Sequence, residues 1–172
     1  MGKIYRGKGT IHLPGRISPD HLCVLKFLQM QYLFVFILAF TLSIASRAQE
    51  TFFQADGKAI RGFDPVSYFL SGKAEKGSPE FNYSWGQANW TFSSREHLEI
   101  FRANPEKFAP QFGGFCAYGA SEKHKAPTDP EAWTIVNGKL YLNYSHKVRQ
   151  LWLPDTATRI PAAINYWNSL KQ

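Results

Sequence analysis

Cysteine is almost absent from this 172-residue chain: there are two, Cys23 and Cys116, and only two methionines, Met1 and Met30. With so few thiols neither a disulfide scaffold nor a four-cysteine zinc cage is available. Long apolar runs are missing as well. The most apolar one, Tyr32 to Ala45, carries no charge and is 14 residues, short of the roughly 20 a membrane-crossing helix needs. No phosphate-binding glycine loop, no Ser-His-Asp order and no repeated carboxylate pattern occurs, which leaves nucleotide-binding and hydrolase readings without support.

Charge is unevenly spread. The formal net charge is +7, but residues 1–48 carry six Lys or Arg against Asp20 alone, leaving 14 basic and 12 acidic residues in the rest. A net charge near +2 is no nucleic-acid footprint, so no nucleic-acid partner is expected. Residues 1–48 read as an export leader. Lys3, Arg6, Lys8, Arg16 and Lys26 precede an apolar core within the roughly 7–15 residues typical of signal peptides, and Ser46-Arg47-Ala48 offers small residues where a signal peptidase cuts. Cleavage is expected after Ala48, with Met30 as an alternative start and an uncleaved anchor as the alternative fate. The expected location is periplasmic or extracellular, with no stable membrane anchor after cleavage.

Removing the leader removes Cys23, so the exported domain holds the single thiol of Cys116. Residues 49–55 show no periodicity and read as a loose tail, and residues 56–172 read as one domain. Asp64-Pro65 marks a helix start ended by Gly72. Phe81–Trp85 and Asn89–Phe92 alternate apolar and polar residues around Gly86-Gln87-Ala88, as a hairpin does. Ser93 and Glu96 have capping-box spacing for a helix carrying Leu98 and Phe101, and Pro105–Phe108 restarts a short one. Trp133–Val136 and Lys139–Asn143 flank Asn137-Gly138, a two-residue hairpin turn. Ser145 caps a helix through Trp152, and a last helix spans about 155–170 with Pro161 able to break or kink it. The fold class is therefore α+β: a small single domain of two β-hairpins packed with several short helices.

Gly62-Phe63-Asp64-Pro65-Val66, Trp90-Thr91-Phe92-Ser93-Ser94 and Phe101 to Phe108 resemble, in order and spacing, the YHS-domain family. Gly113 to Gly119 and Leu140 to Tyr144 resemble an exported branch of it, some members of which carry selenocysteine where Cys116 stands. Together the segments cover about residues 55–153. Metal-handling members of the family have cysteines at positions that fall on Ser67, Ser93 and His97 here. Hydroxyls bind soft metals poorly, so only His97 keeps ligand capacity there, and any inherited metal role must be relocated or lost.

Cys116 is the candidate site. Gly113-Gly114 permits close backbone approach, and a helix starting near Phe115 would set the thiol beside free N–H groups that stabilise a thiolate. The residues alone leave two readings, a reactive or metal-binding thiolate and a small buried hydrophobe. The selenocysteine of the similar proteins favours the first. Soft-metal binding implies Cu(I) in a two- or three-coordinate site, with Cys116 as principal ligand completed from His124, His146 and His97. His124, in the polar loop Ser121–Lys125, is the nearest in sequence. Zinc ranks lower because it favours four ligands. The alternatives are a thiol redox protein, which with no second cysteine needs an external thiol partner, and a non-catalytic interaction module. No enzyme activity is indicated outside the redox reading. Asp64 reads as a helix cap, and Tyr118, Tyr141, Tyr144, Trp133 and Trp152 read mostly as core.

Overall fold

The computed structural model describes residues 52–170. The leader and its cleavage site lie outside the described residues. Three two-stranded antiparallel sheets make up the described strands, and none is bonded to another. The first pairs β1 (Gln54–Ala55), which falls at the end of the expected loose tail, with β2 (Lys58–Ala59), inside the expected domain. Its anchor is Phe52. That ring is buried and meets Trp90 edge-on at 5.0 Å and Trp85 at 5.3 Å, an attachment made by tertiary packing that local periodicity does not register.

Next come α1 (Ser67–Leu70), then β3 (Ser78–Trp85) and β4 (Ala88–Phe92), joined by Gly86-Gln87 with positive φ at both residues. A Cβ on Gly86 would come within 2.6 Å of the Phe52 ring, so glycine is required both for the turn and for the approach. Helix α2 (Arg95–Ala103) follows with Ser94 as its cap, the Ser94 hydroxyl accepting from His97 N at 3.1 Å. The expected cap, Ser93, is used elsewhere. Helix α3 (Pro105–Phe108) is capped by Asn104, and a 3-10 turn over Gln111–Gly114 leads to α4 (Ala117–Ser121).

Strands β5 (Asp129–Val136) and β6 (Lys139–Asn143) close on Asn137-Gly138, with φ of 51° and 71°, the left-handed pair a tight hairpin requires. Helix α5 (His146–Trp152) is capped by Ser145 as expected. Helix α6 (Thr156–Ser169) runs through Pro161 without ending, because the lost N–H bond falls early in the helix and packing against α4 carries the rest. No helix of the described residues is long and apolar enough to cross a membrane.

Strand β6 positions the rest. It is buried on both faces, so alternate side chains enter different cores. Leu140 and Leu142 join Val66, Tyr68, Trp90, Phe92 and Phe101 in one core. Tyr141 joins Phe112, Ala117, Ala120, Trp152 and Ala163 in the other. Asn143 shares the parity of Tyr141, which delivers a wholly buried amide to the start of α4.

Candidate functional site

Cys116 is the N-cap of α4. Two positive-φ glycines and Phe112, with φ of 54°, turn the chain sharply just before it, and Cys116 N then bonds to Ala126 O at 3.0 Å. Cys116 is 2% exposed, and its sulfur accepts two backbone hydrogen bonds, from Gly119 N at 3.4 Å and Tyr144 N at 3.3 Å. The thiol points its hydrogen toward Asn143 Oδ1 at 3.8 Å, and that same oxygen accepts from Tyr118 N at 3.3 Å. Two backbone N–H groups thus converge on one sulfur. The amide Nδ2 of Asn143 and Nε1 of Trp152 are buried without a hydrogen-bond partner among the described residues.

The histidines are dispersed. His124 is exposed, its Nδ1 facing Glu122 O at 3.4 Å, while its ring packs over Gly119 so closely that a Cβ there would meet Nε2 at 3.2 Å. It therefore belongs to the same local unit as Cys116. His146 lies exposed in the first turn of α5. His97 belongs to a different cluster altogether. Among the described residues no three of His, Cys, Asp and Glu gather as a metal cage would require.

That second cluster is centred on Asp64, which is wholly buried. Its Oδ1 takes Val66 N at 2.8 Å and closes a turn ahead of α1, which begins at Ser67 with Val66 as N-cap, two residues later than the Asp64-Pro65 start expected from the sequence. Its Oδ2 does much more, accepting from Ser93 N at 2.9 Å, Ser93 Oγ at 2.8 Å and His97 Nδ1 at 2.6 Å. Ser67 Oγ donates to the Asp64 carbonyl at 2.8 Å. Ser93 and His97 thus meet on the Asp64 carboxylate, and Ser67 on the main-chain carbonyl of the same residue. Asp64 fixes the His97 tautomer with hydrogen on Nδ1. The arrangement is no hydrolytic triad: Ser93 Oγ is 3.2 Å from the same Nδ1 that binds the carboxylate, so it is not set on Nε2 as a nucleophile would be. The group instead ties the α1 loop to the β4–α2 junction.

The aromatic residues divide as chain position dictates. Tyr141 and Trp152 are core and lie 5.3 Å apart, and burial raises the Tyr141 phenol above its ordinary value. Trp133 packs on Tyr68 at 5.3 Å. Tyr118 is half-buried beneath the Arg159 guanidinium, 4.2 Å above its ring, and Arg159 also bonds Glu122 at 2.7 Å, which holds its charge more firmly still. Tyr144 is exposed. Asp64's several bonds and the orphaned Asn143 amide escaped the sequence reading, because both depend on contacts between residues about 30 positions apart.

Comparison with family models, with curated proteins and with solved structures finds no match to this chain.

Proposed function

We propose that the chain is an exported YHS-type protein whose working group is the Cys116 thiolate, used in thiol redox chemistry with an external thiol. The observation that carries this reading is the pair of backbone N–H groups on Sγ. A cysteine serving only as packing needs no such donors, whereas a thiolate is stabilised by them. In the reaction, the Cys116 thiolate attacks a hydroperoxide: an S–O bond forms, the O–O bond breaks, and the departing hydroxide or alkoxide takes a proton. A small thiol then condenses with the sulfenic acid, releasing water and leaving a mixed disulfide that a second thiol reduces.

The test is sulfenate trapping with dimedone after peroxide treatment of the folded protein. A single adduct at Cys116, formed faster than on the urea-unfolded chain, is the expected result; no adduct on the folded protein overturns the reading.

A soft-metal role, with Cu(I) on Cys116, remains the second reading, supported by the placement of His124 over Gly119 in the same local unit as the thiol. Cu(I) accepts two ligands, so the dispersal of His97 and His146 does not count against it. Competition titration of the reduced protein with Cu(I) distinguishes the two. Binding that falls at least about tenfold in Cys116→Ser and less in His124→Ala supports copper, and equal affinity in wild type and Cys116→Ser ends it.

A further inference from the structure

The surface holds a cleft of about 670 Å³ that neither Cys116 nor the Asp64 group lines. Its size is that of a small-molecule site, which usually spans roughly 300–1,000 Å³. Four aromatic side chains from separate parts of the sequence wall it. Phe52 and Trp85 form one pair at 5.3 Å, and Phe112 and Trp167 another at 6.2 Å. Phe52 and Phe112 belong to the two cores, whereas Trp85 and Trp167 are only partly buried against them and leave ring surface facing the cleft.

Charge at the rim has a sign. Lys125 and Lys139 both line the cleft, and neither forms a salt bridge among the described residues. The Lys125 ammonium is held 5.3 Å from the Trp167 ring centroid and 5.0 Å from that of Phe115, so it is positioned by cation-π contact with its charge left uncompensated. Against these two cations stands one rim carboxylate, Glu106. Flat apolar walls with an uncompensated positive edge complement a molecule that is flat, apolar and negative at one end.

We propose that this cleft binds a small aromatic anion, its rings against Trp85, Phe112 and Trp167 and its carboxylate or sulfonate at Lys125 and Lys139. The site is independent of the thiol chemistry, so Cys116→Ser leaves it unchanged.

The experiment is a fluorescence titration of the full chain with anilinonaphthalenesulfonate and, in parallel, with its uncharged parent phenylnaphthylamine. Saturable one-to-one binding of the sulfonate is expected, weakened about tenfold or more in Lys125→Gln/Lys139→Gln while the neutral parent changes little. Both lysines and Ile164 are at least partly exposed, so these variants leave the cores alone. Ile164→Trp, which fills the cleft from its α6 wall, is expected to abolish binding of both probes with unchanged thermal stability. Equal affinity of the double lysine variant and wild type for the sulfonate, or binding that survives Ile164→Trp, overturns the proposal.

Discussion

Asp64 and His97 stand 33 positions apart in the chain and meet with Oδ2 and Nδ1 2.6 Å apart, the carboxylate wholly removed from solvent and the imidazole side chain 15% exposed. Removing the imidazole strips the buried carboxylate of its cationic or donor partner. His97→Ala is expected to cost about 3 kcal/mol in urea denaturation. His97→Asn, which restores an N–H near the same position, should recover part of that loss. Equal losses in the two variants would show that ring packing, and not the hydrogen bond, matters at this position.

Cys116→Ser and Cys116→Ala discriminate between sulfur as acceptor and sulfur as filler. Serine keeps an acceptor for Gly119 N and Tyr144 N, and alanine leaves both donors without one. Alanine is expected to be the less stable by about 1–2 kcal/mol in thermal unfolding. Were Cys116 only a small apolar plug, the order would invert, because burying a hydroxyl without need is itself unfavourable.

Gly77 lies where β3 begins, its N–H donating to Gly62 O at 2.9 Å. A Cβ there would approach the Thr91 carbonyl carbon to 2.5 Å, and backbone does not yield as a side-chain tip does. Gly77→Ala should destabilise by about 2–3 kcal/mol and separate the Gly62 loop from β4. Unchanged stability in chemical denaturation would contradict the close packing of these segments.

Tyr68 is buried and donates to Pro130 O at 3.0 Å. Burial, reinforced by Glu131, Asp64 and Asp129, raises its phenol far above the ordinary value of 10.0. Because the folded chain holds this proton more tightly than the unfolded chain, the associated stability is complete below about pH 10. It is lost progressively as pH rises from there toward the folded value. Tyr68→Phe should be less stable than wild type near neutrality by about 1 kcal/mol, since Pro130 O loses its donor, yet should lose less stability above pH 10. A pH-stability curve parallel to wild type through that range would refute the assignment.

How far the sequence can be read depends on how local each cause is. The Asn137-Gly138 turn, the Ser145 cap and the two long hairpins are written in adjacent residues, and the α+β class follows from their order. The cap of α2 falls on Ser94, one residue after the Ser93 expected, because the two serines are equivalent in local sequence. Only the buried Asp64 carboxylate, drawn in from the preceding loop, takes Ser93 for itself and leaves Ser94 to the helix. Similarly, the N-terminal residues Phe52 to Ala55 carry no periodic signal, and Phe52 is ordered by rings that lie more than thirty positions away. The donors on Cys116 are half legible: Gly119 N follows from helix-cap spacing, whereas Tyr144 N comes from the far end of β6.

The two long hairpins share no backbone ladder, and what joins them is the cluster of rings and aliphatic side chains between them. Register is therefore a private property of each ribbon. A residue inserted in β3 or β4 shifts no hydrogen bond in β5 or β6, so the ribbons are free to change length separately as long as the rings they contribute still meet. Strand β6 has the least of that freedom. With Leu140 and Leu142 in one core and Tyr141 in the other, a single-residue slip along it would exchange the occupants of both cores at once.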